Sequence, residues 1–329
     1  MDYERGNVLN TNVKRNSNTW YAYLYYSHSK RGTPNYFYAN LNFSESMPSL
    51  NTLLDIRDDS NPLYVTLGNP DLKRSRNYNT YIYGRLKIGK ILLYGNAQAG
   101  IRENAVAQGF VIDALGARTV KPENVNGNWN ASGDATIDVP FDKNERVRLR
   151  NSLSYNFTNN VDLVGSVNDT VARRSTVKNH YVGEELRLTW QPTKKMEYGL
   201  FGNVSMQRST SKRENFTNIE AYTFNYGCRL QIELPWDINV SSDLTMYSRR
   251  GYDDEAMNNN ELVWNARISK RMCKGNLTVM FDGFDILGNL SNVYRNVNGQ
   301  GRTETFYNVI PSYGLMRLVY KFNKQPKKS

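Results

Sequence analysis

The segment from Tyr222 to Leu234 alternates between apolar and polar residues without a break. Because successive side chains of a β-strand point to opposite faces, a period of two predicts a strand with one apolar and one polar face. The segment is 13 residues long, whereas a strand of a soluble sheet usually has about 5–6 residues and a tilted membrane strand has about 9–11. The apolar positions are Tyr222, Phe224, Tyr226, Cys228, Leu230, Ile232 and Leu234.

The same period of two recurs along the chain, and no segment has the period of an amphipathic helix. Arg146 to Phe157 keeps it with Asn151 as the single interruption, and Met196 to Met206 and Leu262 to Ile268 follow it. Thirteen strands are predicted, near residues 18–28, 35–43, 78–88, 91–102, 125–139, 145–157, 184–190, 196–207, 222–234, 238–247, 261–272, 276–286 and 312–322.

The predicted connections between these strands are alternately short and long. The short ones cover residues 89–90, 141–144, 191–195, 235–237 and 273–275, and the long polar ones cover 44–77, 103–124, 158–183, 209–221, 249–260 and 287–311. Tight turns at one rim and long loops at the other are typical of an up-and-down bacterial barrel, whereas a soluble sandwich has shorter and more even connections. The sequence therefore predicts an all-β, transmembrane, antiparallel up-and-down β-barrel of the bacterial outer membrane.

The five tryptophans fall near the ends of the predicted strands. Trp190 and Trp236 lie at the short-turn end, and Trp20, Trp129 and Trp264 lie at the long-loop end. Aromatic girdles at both surfaces of a membrane have this distribution. No run approaches the roughly 18 apolar residues of a spanning helix, which excludes a helical membrane protein.

The chain is basic, with 42 lysine and arginine residues against 31 aspartate and glutamate residues and a formal net charge of +11. Basic and aromatic residues are spread over all the predicted strands rather than gathered in one patch, so nucleic-acid binding is not predicted. The pairs Lys212-Arg213 and Arg249-Arg250 fall on predicted outward loops, where anionic lipopolysaccharide is the expected partner. Outer-membrane lipid and the barrel-assembly machinery are the other partners expected of such a barrel.

An odd number of strands conflicts with the even numbers usual in single-chain bacterial barrels. One interpretation is that the chain is the C-terminal part of a larger barrel, with residues 1–17 an extracellular loop or a truncated N-terminal end, residues 18–323 the barrel and residues 324–329 a C-terminal tail. The start of the chain has no basic or apolar region typical of a signal peptide, as this interpretation expects. The alternative is a further strand near Gly6–Lys14, which gives a closed barrel of about 14 strands.

Within this strand map, the stretch GNPDLK resembles the Gly-Asn-Pro-x-Leu-Lys-Pro-Glu landmark of TonB-dependent outer-membrane receptors. The segments 277–287 and 313–322 are similar to the penultimate and closing strands of the Bacteroidota outer-membrane β-barrel branch of that superfamily. The resemblance implies ligand uptake across the outer membrane, with a plug domain and TonB as partners. Arg74-Ser75 replaces the usual Pro-Glu, and nothing in the chain resembles the plug or the TonB box. The landmark residues are Gly68, Asn69, Pro70, Asp71, Leu72 and Lys73.

No catalytic motif is present, so an enzyme is not predicted and no cofactor is expected. Asp282 and Asp285 are close in sequence, and we interpret them as structural carboxylates rather than an acid–base pair. The loop Asp253-Asp254-Glu255 carries oxygen ligands of the kind that Ca²⁺ prefers, but a solvated acidic loop tip is the simpler interpretation, and no metal site is predicted. Cys228 lies in an apolar register and is expected to be a small hydrophobic residue rather than a disulfide partner of Cys273.

Five arginines fall on the polar faces of predicted strands and are expected to point into the lumen: Arg146, Arg148, Arg150, Arg187 and Arg229. Such cations attract anionic or hydroxyl-rich solutes or pair with acidic residues of a plug, and the alternative is that they only hydrate a water-filled interior. The predicted function is non-enzymatic capture and uptake of an unknown small ligand. Two other functions stay open: a structural or adhesive surface barrel without transport, and a soluble β-rich binding protein.

Overall fold

The structure, a computed structural model, describes residues 2–5, 9–12, 18–167, 169, 171–213, 216–253, 255–291, 293–298, 301–307, 310 and 312–322. The one α-helix in these ranges is α1 (Leu50–Leu53), and short 3₁₀ turns cover Pro235–Asp237, Glu255–Met257 and Cys273–Gly275. None of the described helices has the length and apolar composition needed to cross a membrane.

The strands form one large sheet and two separate hairpins. The hairpins pair β1 with β2 and β19 with β20, and the other 17 strands belong to the large sheet. In chain order the strands are β1 (Asp2–Arg5), β2 (Leu9–Asn12), β3 (Tyr21–Ser29), β4 (Tyr36–Ser46), β5 (Arg57–Asp58), β6 (Tyr64–Leu67), β7 (Ser75–Ile88), β8 (Ile91–Glu103), β9 (Ala105–Ile112), β10 (Arg118–Val125), β11 (Asn128–Pro140), β12 (Val147–Val167), β13 (Arg173–Thr193), β14 (Met196–Ser211), β15 (Ile219–Leu234), β16 (Ile238–Arg250), β17 (Asn260–Met272), β18 (Leu277–Phe284), β19 (Val293–Asn298), β20 (Gly301–Phe306) and β21 (Tyr313–Tyr320).

The body of the large sheet is an antiparallel ladder in the order β3-β4-β7-β8-β11-β12-β13-β14-β15-β16-β17-β18-β21. Each of these thirteen strands corresponds to one predicted strand, which confirms the all-β, antiparallel, up-and-down prediction. Tight turns such as residues 89–90 and 235–237 join the strands at one end of the ladder. We call this the short-turn end and the opposite end the long-connection end.

The two edge strands of the ladder, β3 and β21, run in the same direction, from the long-connection end to the short-turn end. No ladder pairing joins them among the described residues. Because neighbouring strands of the ladder are antiparallel, an odd number of further strands is needed to close this sheet with antiparallel pairs throughout. Of the strand suggested near Gly6–Lys14, the structure describes residues 9–12, which form β2 and pair with β1.

Two of the connections predicted to be loops are largely β-structure. Residues 103–124 contain β9 and most of β10, and residues 158–183 belong mainly to extensions of β12 and β13. β9 lies parallel to the extension of β12, and β6 lies parallel to β10. The loop prediction was wrong here for two reasons: the buried residues Ala105 and Ala107 of β9 are small and give a weak apolar signal, and the β12–β13 pairing continues past the predicted strand ends. The buried cluster consists of Ala105, Ala107, Val125, Val161 and Leu163.

The body of the sheet has one apolar and one polar face. Large side chains of the apolar face stay exposed, and the exposed fraction is 59% for Leu200, 53% for Ile268 and 54% for Phe281. In the described residues, no second layer of protein covers this face. Fully buried apolar residues such as Leu53 and Leu72 lie instead in the long connection between β4 and β7.

The turn between β11 and β12 is organised by one carboxylate. Asp142 accepts hydrogen bonds from the backbone N–H groups of Val147 (3.0 Å) and Asn144 (3.2 Å). These bonds, above all the one from Val147, hold the pKa of Asp142 below its ordinary value, because they stabilise the ionised carboxylate.

We expect Asp142 to stabilise the fold through its ionised form. Because the folded-state pKa is lowered, this stabilisation is present above the unfolded-state pKa of about 3.9 and is lost as the pH falls through the folded-state value. The Asp142→Asn variant should therefore have a lower Tm than the parent near neutral pH, and the difference should shrink below about pH 4. A Tm difference of the same size at neutral and at acid pH would contradict this role.

Candidate functional site

A cavity of about 1060 Å³ opens at the long-connection end of the polar face. Its lining includes Asn79, Gly100, Asn130, Thr158 and Asn179 from the strands β7, β8, β11, β12 and β13. These residues lie directly opposite one another on successive strands. A concave surface lined by converging polar groups is the candidate ligand site of this fold.

Four asparagines of the cavity, in β7 and β11, come from a local pattern, Asn-x-Asn, that none of the predicted site residues includes. Because residues i and i+2 of a strand share a face, each such pattern places two amides on the polar face. The patterns are Asn77-Tyr78-Asn79 in β7 and Asn128-Trp129-Asn130 in β11, and β4 has a third one, Asn40-Leu41-Asn42. The antiparallel register aligns one residue of each pattern, Asn42, Asn79 and Asn130, in a single row across the sheet.

The predicted arginines at the start of β12 belong to an ion-pair cluster. Asp138 of β11 is almost fully buried, and its carboxylate accepts hydrogen bonds from Arg148 at 3.0 Å and from Arg150 at 3.2 Å. Arg146, predicted on the same strand face, directly precedes β12, which begins at Val147, and lies in the turn around Asp142. Asp138 therefore partly neutralises the charges of Arg148 and Arg150.

The other predicted arginines also lie near carboxylates of the polar face. Arg187 contacts Glu185, two residues earlier in β13, at 2.9 Å. Arg229 of β15 lies directly opposite Asp243 of β16 in the ladder register. Arg187 also lies directly opposite Arg150 of β12, so Arg148, Arg150 and Arg187 adjoin on the polar face, where Asp138 and Glu185 partly neutralise them.

The neighbouring aspartates at the end of β18 have separate roles. Asp282 is nearly buried on the polar face and contacts Arg267 of β17 and Arg317 of β21, with an Arg317 Nη2 to Asp282 Oδ2 distance of 2.7 Å. Asp285 accepts the backbone N–H groups of Leu290 (2.8 Å) and Asn289 (3.2 Å) and so shapes the connection after the strand. Both carboxylates are held by structural contacts.

The GNPDLK segment ties two long connections together. The Asn69 side-chain amide donates to the backbone carbonyl of Pro122 at 2.8 Å, and its Oδ1 accepts the backbone N–H of Asp71 at 3.0 Å. The backbone N–H of Lys73 donates to Asn124 Oδ1 at 2.6 Å, while Leu72 is fully buried. The segment therefore docks the β4–β7 connection on β10.

The two residues that follow the GNPDLK segment make contacts of their own. Arg74 pairs with Glu45 of β4 at 3.0 Å. The Ser75 hydroxyl donates to the backbone carbonyl of Asn104 at 2.8 Å. Both contacts fix the entry into β7.

The described residues hold no group of three histidine, cysteine, aspartate or glutamate side chains arranged for a metal ion. Of the loop considered for Ca²⁺, Asp254 lies outside the described residues, as does the predicted tail 324–329. Cys228 and Cys273 are both free and exposed.

Comparisons with protein families, with curated proteins and with solved structures found no match.

Gly68 leaves no room for a side chain. A Cβ at this position would lie 1.5 Å from the backbone oxygen of Leu54. We expect Gly68→Ala to push the β4–β7 connection off its support, to lower the free energy of unfolding by about 1–3 kcal/mol and to expose residues 47–74 to limited proteolysis. Gly84→Ala is the matched control, because a Cβ there meets nothing within 4 Å. Equal protease resistance of the two variants would contradict this packing.

Proposed function

We propose that this protein is a membrane-spanning β-barrel of the bacterial outer membrane, similar to the barrel part of a TonB-dependent receptor, that captures a ligand and admits it to a polar interior. The observation that carries the proposal is the uncovered apolar face of the ladder. Soluble monomers rarely expose contiguous apolar patches above a few hundred Å², and this face runs along the whole ladder. A lipid bilayer would cover this apolar face, since the strands of membrane barrels alternate between apolar residues that face the lipid and polar residues that face the interior.

Aromatic side chains at the strand ends support a membrane orientation. Trp190 stacks on Tyr198 with ring centroids 5.2 Å apart at the short-turn end, where Trp236 is 81% exposed. At the long-connection end, Trp129 packs on Phe157 at 4.4 Å. Tryptophan and tyrosine favour the membrane–water interface, so these pairs mark the two levels proposed for the bilayer surfaces.

The cavity supports ligand capture at the long-connection end. In a barrel this end faces outward, so a solute would meet the asparagine-lined cavity before it meets the ion pairs of the polar interior. Closure of the ladder with antiparallel pairs throughout would need an odd number of further strands, and a plug and TonB would be supplied by further polypeptide. Lipid, lipopolysaccharide and the assembly machinery are the partners that this proposal entails.

The two native cysteines provide a direct test of membrane embedding. Cys228 lies mid-strand on the apolar face, opposite Leu200 and Leu244, whereas Cys273 lies in a short turn. In lipid nanodiscs, a water-soluble maleimide should label Cys273 at least tenfold faster than Cys228. The difference should vanish after denaturation.

The single-cysteine variants Cys228→Ser and Cys273→Ser show which maleimide-labelling rate belongs to which thiol. Because both thiols are exposed in the protein alone, a soluble β-rich protein would label both quickly in plain buffer. Equal labelling of folded, reconstituted protein would contradict the membrane proposal.

Transport is tested separately from embedding. Cells that produce the protein in their outer membrane should take up its ligand faster than otherwise identical cells without it. An uptake rate that stays the same while the protein is present and folded would favour the structural or adhesive barrel.

A further inference from the structure

Two adjacent rows of residues on the polar face are free of charged side chains across eight strands. We call these two rows the neutral belt. The first row is Tyr23, Asn42, Asn79, Gly100, Asn130, Thr158, Asn179 and Ser209. The second row, one step closer to the short-turn end, is Tyr25, Asn40, Tyr81, Gln98, Ser132, Asn156, Tyr181 and Gln207.

Charged residues lie on both sides of the neutral belt. Toward the long-connection end, Arg102 donates from Nε to Asn77 Oδ1 at 2.7 Å. Toward the short-turn end come Asp134 and then Asp138 with its two arginines. The belt is therefore a neutral zone within a face that elsewhere carries both signs of charge. At a strand spacing of about 4.8 Å it extends over about 34 Å.

Gly100 forms a niche at the centre of the first row. A Cβ on Gly100 would lie 2.8 Å from Asn79 Oδ1 and 2.8 Å from Asn130 Oδ1. Within the described part of the chain, neither of these two amides has a hydrogen-bond partner in the protein. Both line the cavity of about 1060 Å³, so a bound molecule can reach them.

The chemistry of the belt selects an uncharged ligand. Each amide offers an acceptor oxygen and a donor NH₂ group, which suits hydroxyl groups because a hydroxyl both donates and accepts. The residues of the belt itself give an ionised ligand no opposite charge in exchange for its lost hydration, and the charged side chains that line the cavity, Arg102, Arg118, Asp162 and Arg213, lie outside the belt. The tyrosines add flat apolar surfaces beside the amides: Tyr81, for example, packs on Tyr38 with ring centroids 6.2 Å apart.

We propose that the neutral belt binds an uncharged saccharide, with a sugar hydroxyl seated in the Gly100 niche between the amides of Asn79 and Asn130. A sugar ring presents hydroxyls at its edge and C–H groups on its faces, which match the amides and the tyrosine rings respectively. The proposal names the ligand class of the cavity and rests on the proposed function for the direction from which the ligand arrives.

Binding is measured by titration calorimetry of the protein in an amine-oxide detergent, because maltoside detergents are themselves saccharides. The probes are uncharged hexasaccharides of α-1,4-glucan, β-1,4-glucan and β-mannan, with hexagalacturonate as the anionic counterpart and an uncharged hexapeptide as the amide counterpart. At least one neutral hexasaccharide should bind, and hexagalacturonate and the peptide should bind at least tenfold more weakly.

Substitutions in the belt separate the niche from the rest of the polar face. Asn79→Ala and Asn130→Ala should each weaken binding about threefold to tenfold, the range of one neutral hydrogen bond, and Gly100→Val should abolish it by filling the niche. The matched controls are Asn203→Ala, on the polar face of β14 outside the belt, and Gly84→Val, on the apolar face, and both should bind like the parent. Tm values of all variants exclude unfolding as the cause of any loss.

The outcomes distinguish this proposal from the membrane proposal. If no neutral hexasaccharide binds to protein that shows the expected thiol-labelling difference, or if hexagalacturonate or the peptide binds equally well, the saccharide proposal is wrong and membrane embedding stands. If belt variants lose saccharide binding while Cys228 and Cys273 label equally, the belt is a saccharide site and the membrane proposal is wrong.

Discussion

Hydrogen bonding on both edges of a strand leaves its side chains only two directions, and this constraint governs the whole molecule. In the ladder from β3 to β21, every residue belongs to one of two faces, and cross-strand register carries that choice from strand to strand. If the register slipped by one residue, Phe201 would take the place of Leu200 on the apolar face, and Thr80 would take the place of Asn79 on the polar face. The ladder can therefore expose an apolar face to one environment and a polar face to another. As a single layer, it has no interior in which to bury a core.

The charge pattern of the polar face follows from that geometry. Residues opposite one another on neighbouring strands are close, so a carboxylate on one strand can hold cations from the next. Asp138 and Asp282 each hold two arginines in this way and are themselves nearly buried. Breaking such a cluster by removing its carboxylate would leave uncompensated charge. The same register, where it aligns amides, produces the neutral belt.

The strands of the ladder were predictable because their period of two extends over many residues, as it does from Tyr222 to Leu234. The strand pair β9–β10 was not predictable in that way, since Ala105 and Ala107 are too small to give a strong apolar signal and share a buried cluster with Val161 and Leu163 from another part of the chain. For Arg146, the alternating pattern of the sequence begins one residue before β12, at a position that still belongs to the turn around Asp142.

The candidate site was harder to predict than the fold. Arg148 and Arg150 appeared as lumenal cations, but their common partner Asp138 is defined only by the β11–β12 register. The Asn-x-Asn patterns were visible in the sequence, yet their significance depends on alignment at one height across β4, β7 and β11, which no single segment reveals. Sequence periodicity identifies faces, whereas sites on those faces depend on register.

The central claim is that one face of the ladder meets lipid and the other meets water. Its most direct test is a nitroxide scan of residues 198–207 in β14, in protein reconstituted into bilayers after replacement of Cys228 and Cys273 by serine. The account predicts that collisions with oxygen peak at the even positions, such as Leu200 and Val204, and that collisions with a water-soluble nickel chelate peak at the odd positions, such as Phe201 and Asn203. Equal access of the nickel chelate to even and odd positions would contradict it.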